Sequence, residues 1–120
     1  MKQTESTNPE LIQLIKQLKK ASREKDAPIW LDVAEQLSQS RSHRAAVNLS
    51  SVNRNTQRDD TIVVPGKVLG TGSLTHPITV AAFSISETAK AKLDAIHARY
   101  VTIPEIIAEN PQGSNIKIIR

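Results

Sequence analysis

The spacing of apolar residues changes character once along this chain, and that change limits the folds open to it. Leu11, Leu14, Ile15 and Leu18 recur at intervals of three and four, which places them on one stripe of a helix. Asn8-Pro9 ahead of them supplies a capping residue and a proline at the first helical position. A second helix is expected to start near Asp26-Ala27-Pro28, with Ile29, Trp30, Val33, Ala34 and Leu37 facing inward and Trp30 as a core anchor. Beyond Ser38 the apolar runs shorten and turn residues separate them. Ala46 to Val52 alternates weakly, as a short strand would, and Thr61 to Val64 gives a second strand stopped by Pro65-Gly66. After the segment Gly66 to Pro77, Ile78 to Phe83 forms a buried strand.

Ser84 and Glu87 stand at capping-box spacing, before a helix with Ala89, Leu93 and Ile96 on one side that ends near His97. Thr102 and Glu105 repeat that spacing ahead of a short helix through Ile107, Asn110 to Gly113 turns the chain, and Ile116 to Ile119 closes it as a strand. The expected fold class is α/β: N-terminal helices over 8–40, followed by an irregular core of alternating short strands and helices over 41–120. With 120 residues, 38% of them hydrophobic and 23% charged, the chain has the length and composition of one globular domain, expected to span 1–120.

Several chemistries fail on spacing. The glycines Gly66, Gly70 and Gly72 suggest a phosphate loop, but that loop needs Gly-Lys-Ser/Thr after four intervening residues. Here Lys67 follows the first glycine, and Gly72 is followed by Ser-Leu. The dinucleotide pattern fails because Thr75 stands three after Gly72. No serine lies in a G-x-S-x-G elbow. His43, His76 and His97 are far apart and no cysteine is present, so neither a metal site nor a cofactor is expected. The opening MKQTESTNPE lacks the apolar core of a signal peptide, and Ile78–Phe83, the longest apolar stretch, is too short to span a membrane. A soluble cytoplasmic protein with no membrane partner and no small-molecule substrate is expected.

The net charge of +4 favours a polyanionic partner, and its distribution says more. From Gln36 to Gln57 there is no acidic residue, while Arg41, Arg44 and Arg54 occur there and Arg58 lies one step beyond. Arginine grips phosphate with a planar fork, and the interleaved Ser, Asn and His add neutral donors for phosphate and ribose. Lys16, Lys19, Lys20 and Arg23 fall off the apolar stripe of the first helix, on a second basic face partly neutralised by Glu24 and Asp26. Glycines beside Lys67 leave backbone amides approachable by an RNA phosphate. Trp30, Phe83 and Tyr100 are the only aromatics, too few for a reader of single strands that stacks successive bases.

Two stretches carry a family likeness. EQLSQSRSHRAAVNLS, Glu35 to Ser50, and VVPGKVLGTGSLTHPITVAAFSISETAKAKL, Val63 to Leu93, resemble the large-subunit ribosomal proteins of the archaeal and eukaryotic eighteen-e family, itself related to bacterial ribosomal protein fifteen through the second stretch. The likeness extends from Asn8 to Arg120, and the compact length fits the archaeal members. Ser51 departs from the pattern, which carries a basic residue there. The resemblance implies a non-catalytic protein bound to large-subunit ribosomal RNA beside neighbouring ribosomal proteins. It carries the RNA-facing role over to Arg41, His43, Arg44, Asn48, Arg54, Lys67 and His76. The residue reading adds Lys16, Lys19, Lys20, Arg23, Arg58, Gly70 and Gly72. A reversible, non-ribosomal RNA-binding or ribosome-assembly factor of the same fold is the alternative.

Few aromatics and many cations imply phosphate-dominated binding to folded RNA. Affinity for a matching RNA fragment is then expected to fall by roughly 0.7 to 0.9 log units per log unit of salt for each phosphate contact. An affinity indifferent to salt, or an equal preference for unstructured strands, would contradict this.

Overall fold

The computed structural model describes residues 8–39 and 44–120. Helix α1 (Pro9–Glu24) opens as its sequence predicts: the Asn8 side chain accepts the Glu10 N–H at 2.9 Å, and Pro9 sits in the first turn. Leu11, Leu14, Ile15 and Leu18 form its buried stripe. Helix α2 (Pro28–Leu37) buries Trp30, Val33, Ala34 and Leu37, while Ile29 is only partly covered. Trp30 is fully buried, and its indole N–H donates to the Pro111 carbonyl at 2.7 Å, so the anchor ties α2 to the C-terminal turn.

Strand β1 (Ala45–Asn48), helix α3 (Leu49–Arg54), strand β2 (Thr61–Leu69) and strand β3 (Thr79–Ile85) follow. Helix α4 (Glu87–Ala95), strand β4 (Arg99–Thr102), helix α5 (Ile103–Glu109) and strand β5 (Ile116–Ile118) complete the order. All pairings are parallel. The sheet runs β1-β2-β3-β4, and β5 pairs with β2.

Strand alternation sends neighbouring side chains into two cores. Val63, Ala81 and Val101 pack with α1, α2 and α5 on one face. Ile62, Val64, Val80 and Ala82 pack with residues of α3 and α4 on the other. A parallel sheet covered on both faces accounts for the near-continuous apolar runs of its inner strands.

Three sequence expectations need correction. The strand expected over Ala46 to Val52 ends at Asn48, whose side chain accepts the Ser51 N–H at 2.9 Å and starts α3. Pro65-Gly66 does not stop β2. The β5 ladder ends at Val63, the β1 ladder begins at Gly66, and the β3 register shifts between Val64 and Lys67, so Pro65 falls where no ladder bond is required of it. Thirdly, α4 is capped by Ser86, which accepts the Ala89 N–H, while Ser84 belongs to β3. The Thr102–Glu105 capping box is present in full, and the four-residue β4 before it is an addition to the expected elements.

At Gly66 the sheet leaves no room for a side chain. A Cβ there would stand 2.0 Å from the Ala45 carbonyl oxygen, a backbone atom with no freedom to step aside. Gly66→Ala is therefore expected to lower the denaturation midpoint, with a cost of about 1–3 kcal/mol or more. Urea unfolding followed by far-UV circular dichroism checks it; an unchanged midpoint would mean that β1 does not depend on this close approach.

Candidate nucleic-acid interface

Because α1 turns one stripe inward, its cations point out. Lys16, Lys20 and Arg23 are exposed and Lys19 is half-buried. Together with Ser22 and Leu31 of α2, which is 41% exposed, they line a shallow groove. Lys20 lies 3.8 Å from Glu24 with both groups in solvent, a pairing of little weight. Lys16, Lys19 and Arg23 meet no carboxylate among the described residues.

The second group surrounds α3 and the loop after β2. Asn48 Oδ1 accepts the Ser51 N–H and, at 2.6 Å, the Ser50 hydroxyl, so its acceptor oxygen is spent on the helix start. Three further contacts, from Ser50, Asn53 and Thr56 at helical spacing, stitch α3 to the loop. The Ser50 N–H donates to the Thr71 carbonyl at 3.1 Å. Asn53 Oδ1 accepts both the Thr75 N–H and its hydroxyl at 3.0 Å. The Thr56 hydroxyl donates to the Val52 carbonyl and so accepts from His76 Nε2 at 2.8 Å. His76 thus holds the loop in place, whereas Arg54 and Arg58 project into solvent without a partner among the described residues.

Gly70 and Gly72 are closed in by the protein itself. A Cβ on Gly70 would meet the Thr88 side chain at 2.7 Å. One on Gly72, whose φ is +88°, would meet Ser50 Cβ at 2.5 Å. Lys92 on α4 donates to the carbonyls of both glycines, each at 2.7 Å.

Lys67 is exposed on β2, opposite Ala46 of β1 and Ser84 of β3, with no ion pair among the described residues. Its neighbour Val68 is buried in the core against α3 and α4, so Lys67 takes the opposite face. Arg44 is half-buried, and its Nε donates to the Gln39 carbonyl at 3.1 Å. Arg41 and His43 lie outside the described residues.

Three of the basic residues that sequence reasoning left aside are paired within the protein. Arg99 grips both carboxylate oxygens of Glu109, Lys117 lies 3.1 Å from Asp60, and Arg120 lies 3.6 Å from Asp32. The Arg99 guanidinium holds the Glu109 carboxyl below its ordinary value; the Gln57 backbone N–H and then Lys117 do the same for Asp60. Lys25 and Lys90 are exposed and meet no carboxylate among the described residues; Lys90 was legible from its place beside Ala89 on α4, away from the buried side. Lys92 gave no signal, because its acceptors lie 20 and 22 residues away in sequence. Among the described residues no cluster of His, Asp and Glu is placed to hold a metal ion, and no helix is long and apolar enough to cross a membrane.

Comparison with known proteins identifies the family. A family model described as ribosomal protein 60S L18 and 50S L18e matches residues 1–120. The large ribosomal subunit protein eL18 of Methanococcus maripaludis is 47% identical over 119 residues, covering 99% of each chain. That of Methanothermobacter thermautotrophicus is 48% identical over 113 residues, covering 94% of this chain and 93% of its own. The Haloarcula marismortui protein of the same name is 46% identical over 114 residues, covering 95% and 97%. The chain belongs to the family of ribosomal proteins 60S L18 and 50S L18e, structural constituents of the large ribosomal subunit and not enzymes.

Proposed function

We propose that this chain binds large-subunit ribosomal RNA through the phosphate backbone, using Lys16, Lys19, Lys20 and Arg23 on α1 and Arg44, Arg54, Arg58 and Lys67 around the sheet. Arg41 and His43 join them by family likeness. One observation carries the reading: among the described residues Lys16, Lys19, Arg23, Arg54, Arg58 and Lys67 have no acidic partner, whereas Arg99, Lys117 and Arg120 are paired within the protein. Cations left in water without a carboxylate partner are available to phosphates, and releasing counterions from RNA drives the association. Asn48, His76, Gly70 and Gly72 serve this interface by shaping it. Their atoms are largely engaged in the cap, the stitched loop and the close approaches to Ser50 and Thr88.

Base stacking contributes little to this mode of binding. Trp30 is inside the protein, and Phe83 and Tyr100 are partly covered. The mechanism is electrostatic and geometric: a rigid three-layer body presents fixed cations to converging RNA segments in the cytoplasmic ribosome, and its remaining surface meets neighbouring ribosomal proteins. No small-molecule substrate enters it.

The triple change Arg54→Ala, Arg58→Ala, Lys67→Ala tests this. Exposed substitutions each change stability by about half a kcal/mol or less, so the melting temperature is expected to stay nearly constant. RNA affinity is expected to fall, and the magnitude of its salt slope to drop by about one for each lost phosphate contact. Arg99→Ala is expected to leave affinity unchanged. A triple variant that binds RNA with the parent slope would overturn the assignment.

A further inference from the structure

The loop between β2 and β3 holds an orientation that the sequence does not announce. Three successive carbonyls are turned onto the protein: those of Gly70 and Gly72 accept from Lys92 Nζ at 2.7 Å each, and that of Thr71 accepts from the Ser50 N–H at 3.1 Å. Every peptide bond described is trans, and a trans peptide points its N–H opposite to its C=O. The amides of Thr71 and Ser73, which share peptide units with the Gly70 and Gly72 carbonyls, therefore both face away from Lys92. Thr71 is exposed and Ser73 is exposed, and neither amide has an acceptor among the described residues. Gly72 between them is left-handed, φ +88°, the kind of step found in backbone concavities that bind anions.

Lys92 is half-buried and has no carboxylate partner among the described residues, so its positive charge is uncompensated behind the turn. An ammonium bound to a peptide oxygen also strengthens the N–H on the other side of that peptide as a donor.

We propose that the Thr71–Ser73 turn is a cradle for one phosphate of the RNA backbone, received by the amides and hydroxyls of Thr71 and Ser73, with Lys92 as the positioning residue that aims the amides. This rests on the RNA-binding reading above and adds a contact made by backbone rather than by cationic side chains. The two glycines also find their place in it, since Gly70 lets the turn lie against Thr88 and Gly72 supplies the left-handed step.

Amide spectra of the isotope-labelled full chain decide the matter, recorded with inorganic phosphate alone and with a short RNA duplex at equal phosphate concentration. RNA is expected to move the Thr71 and Ser73 amide protons downfield, with free phosphate moving them far less. In Lys92→Met these two shifts are expected to vanish while those near Arg54 and Arg58 persist, and RNA affinity to weaken about tenfold, the scale of one lost hydrogen bond to a charged group. Saturation by free phosphate as readily as by RNA would overturn the RNA backbone as the source. Shifts at the cationic side chains with none at Thr71 and Ser73 would overturn the cradle and leave the RNA-binding reading intact. No response anywhere would overturn both. Should Lys92→Met fail to fold, the parent spectra alone still decide.

Discussion

The continuity of β2 through Pro65-Gly66 is the constraint on which the rest of the structure depends. A proline inside a central strand normally removes a ladder bond, yet here the strand changes edge partner at that point. β5 leaves at Val63, β1 arrives at Gly66, and the β3 register slips between Val64 and Lys67. The glycine then lets β1 come in against the backbone, with the Ala45 carbonyl where a side chain would stand. Four consequences follow. β1 is held beside the carboxyl-terminal half of β2; α3 starts from its end; Lys67 emerges on the face away from Val68; and the chain leaves β2 at Leu69 into the Gly70–Gly72 loop.

From there the polar contacts divide into two kinds. Those of α3, the loop and α4 are internal: Ser50 to Thr71, Asn53 to Thr75, Thr56 to His76, and Lys92 to two carbonyls. They fix a surface without discharging it. The carboxylates are used elsewhere, on Arg99, Lys117 and Arg120, near the end of the sheet where β2 and β4 begin and on α2. A protein that holds RNA gains by this separation, since cations fixed on a rigid body lose little conformational entropy when phosphates arrive.

How much of this was legible varied with the range of the interactions. Helix α1 was readable because stripe, cap and proline all agree within a few residues, α2 because stripe and proline do so without a capping side chain at Ala27, and the Thr102–Glu105 box is equally local. Helix α3 is hard to read because Leu49 to Arg54 makes under two turns, and its Ser and Asn residues favour caps and turns as much as helix. The full length of β2 is hidden because proline and glycine signal an end locally; only the exchange of edge partners, set by distant strands, overrides them. Ser84 resembles a cap because glutamate follows it by three, whereas the chain continues as strand to Ile85 and Ser86 takes that place. On the candidate site, helical spacing and the acid-free stretch picked out Lys16, Lys20, Arg23, Arg54 and Arg58, which stand exposed, together with Lys19 and Arg44, which are half-buried. What sequence could not show was that Asn48 and His76 are occupied by the protein's own groups, or that Lys92 is turned inward onto a loop.

The central claim is the division of basic residues into those reserved for RNA and those used within the fold. Cryo-electron microscopy of a large ribosomal subunit carrying this chain tests it most directly, at a resolution that shows phosphates and side chains. The expected result is phosphate oxygens within salt-bridge distance of Lys16, Lys19, Arg23, Arg54, Arg58 and Lys67, with Arg99 still gripping Glu109 and Lys117 still on Asp60. Phosphates clustered instead on Arg99, Lys117 and Arg120, with Lys16, Lys19, Arg23, Arg54, Arg58 and Lys67 facing only solvent, would contradict it.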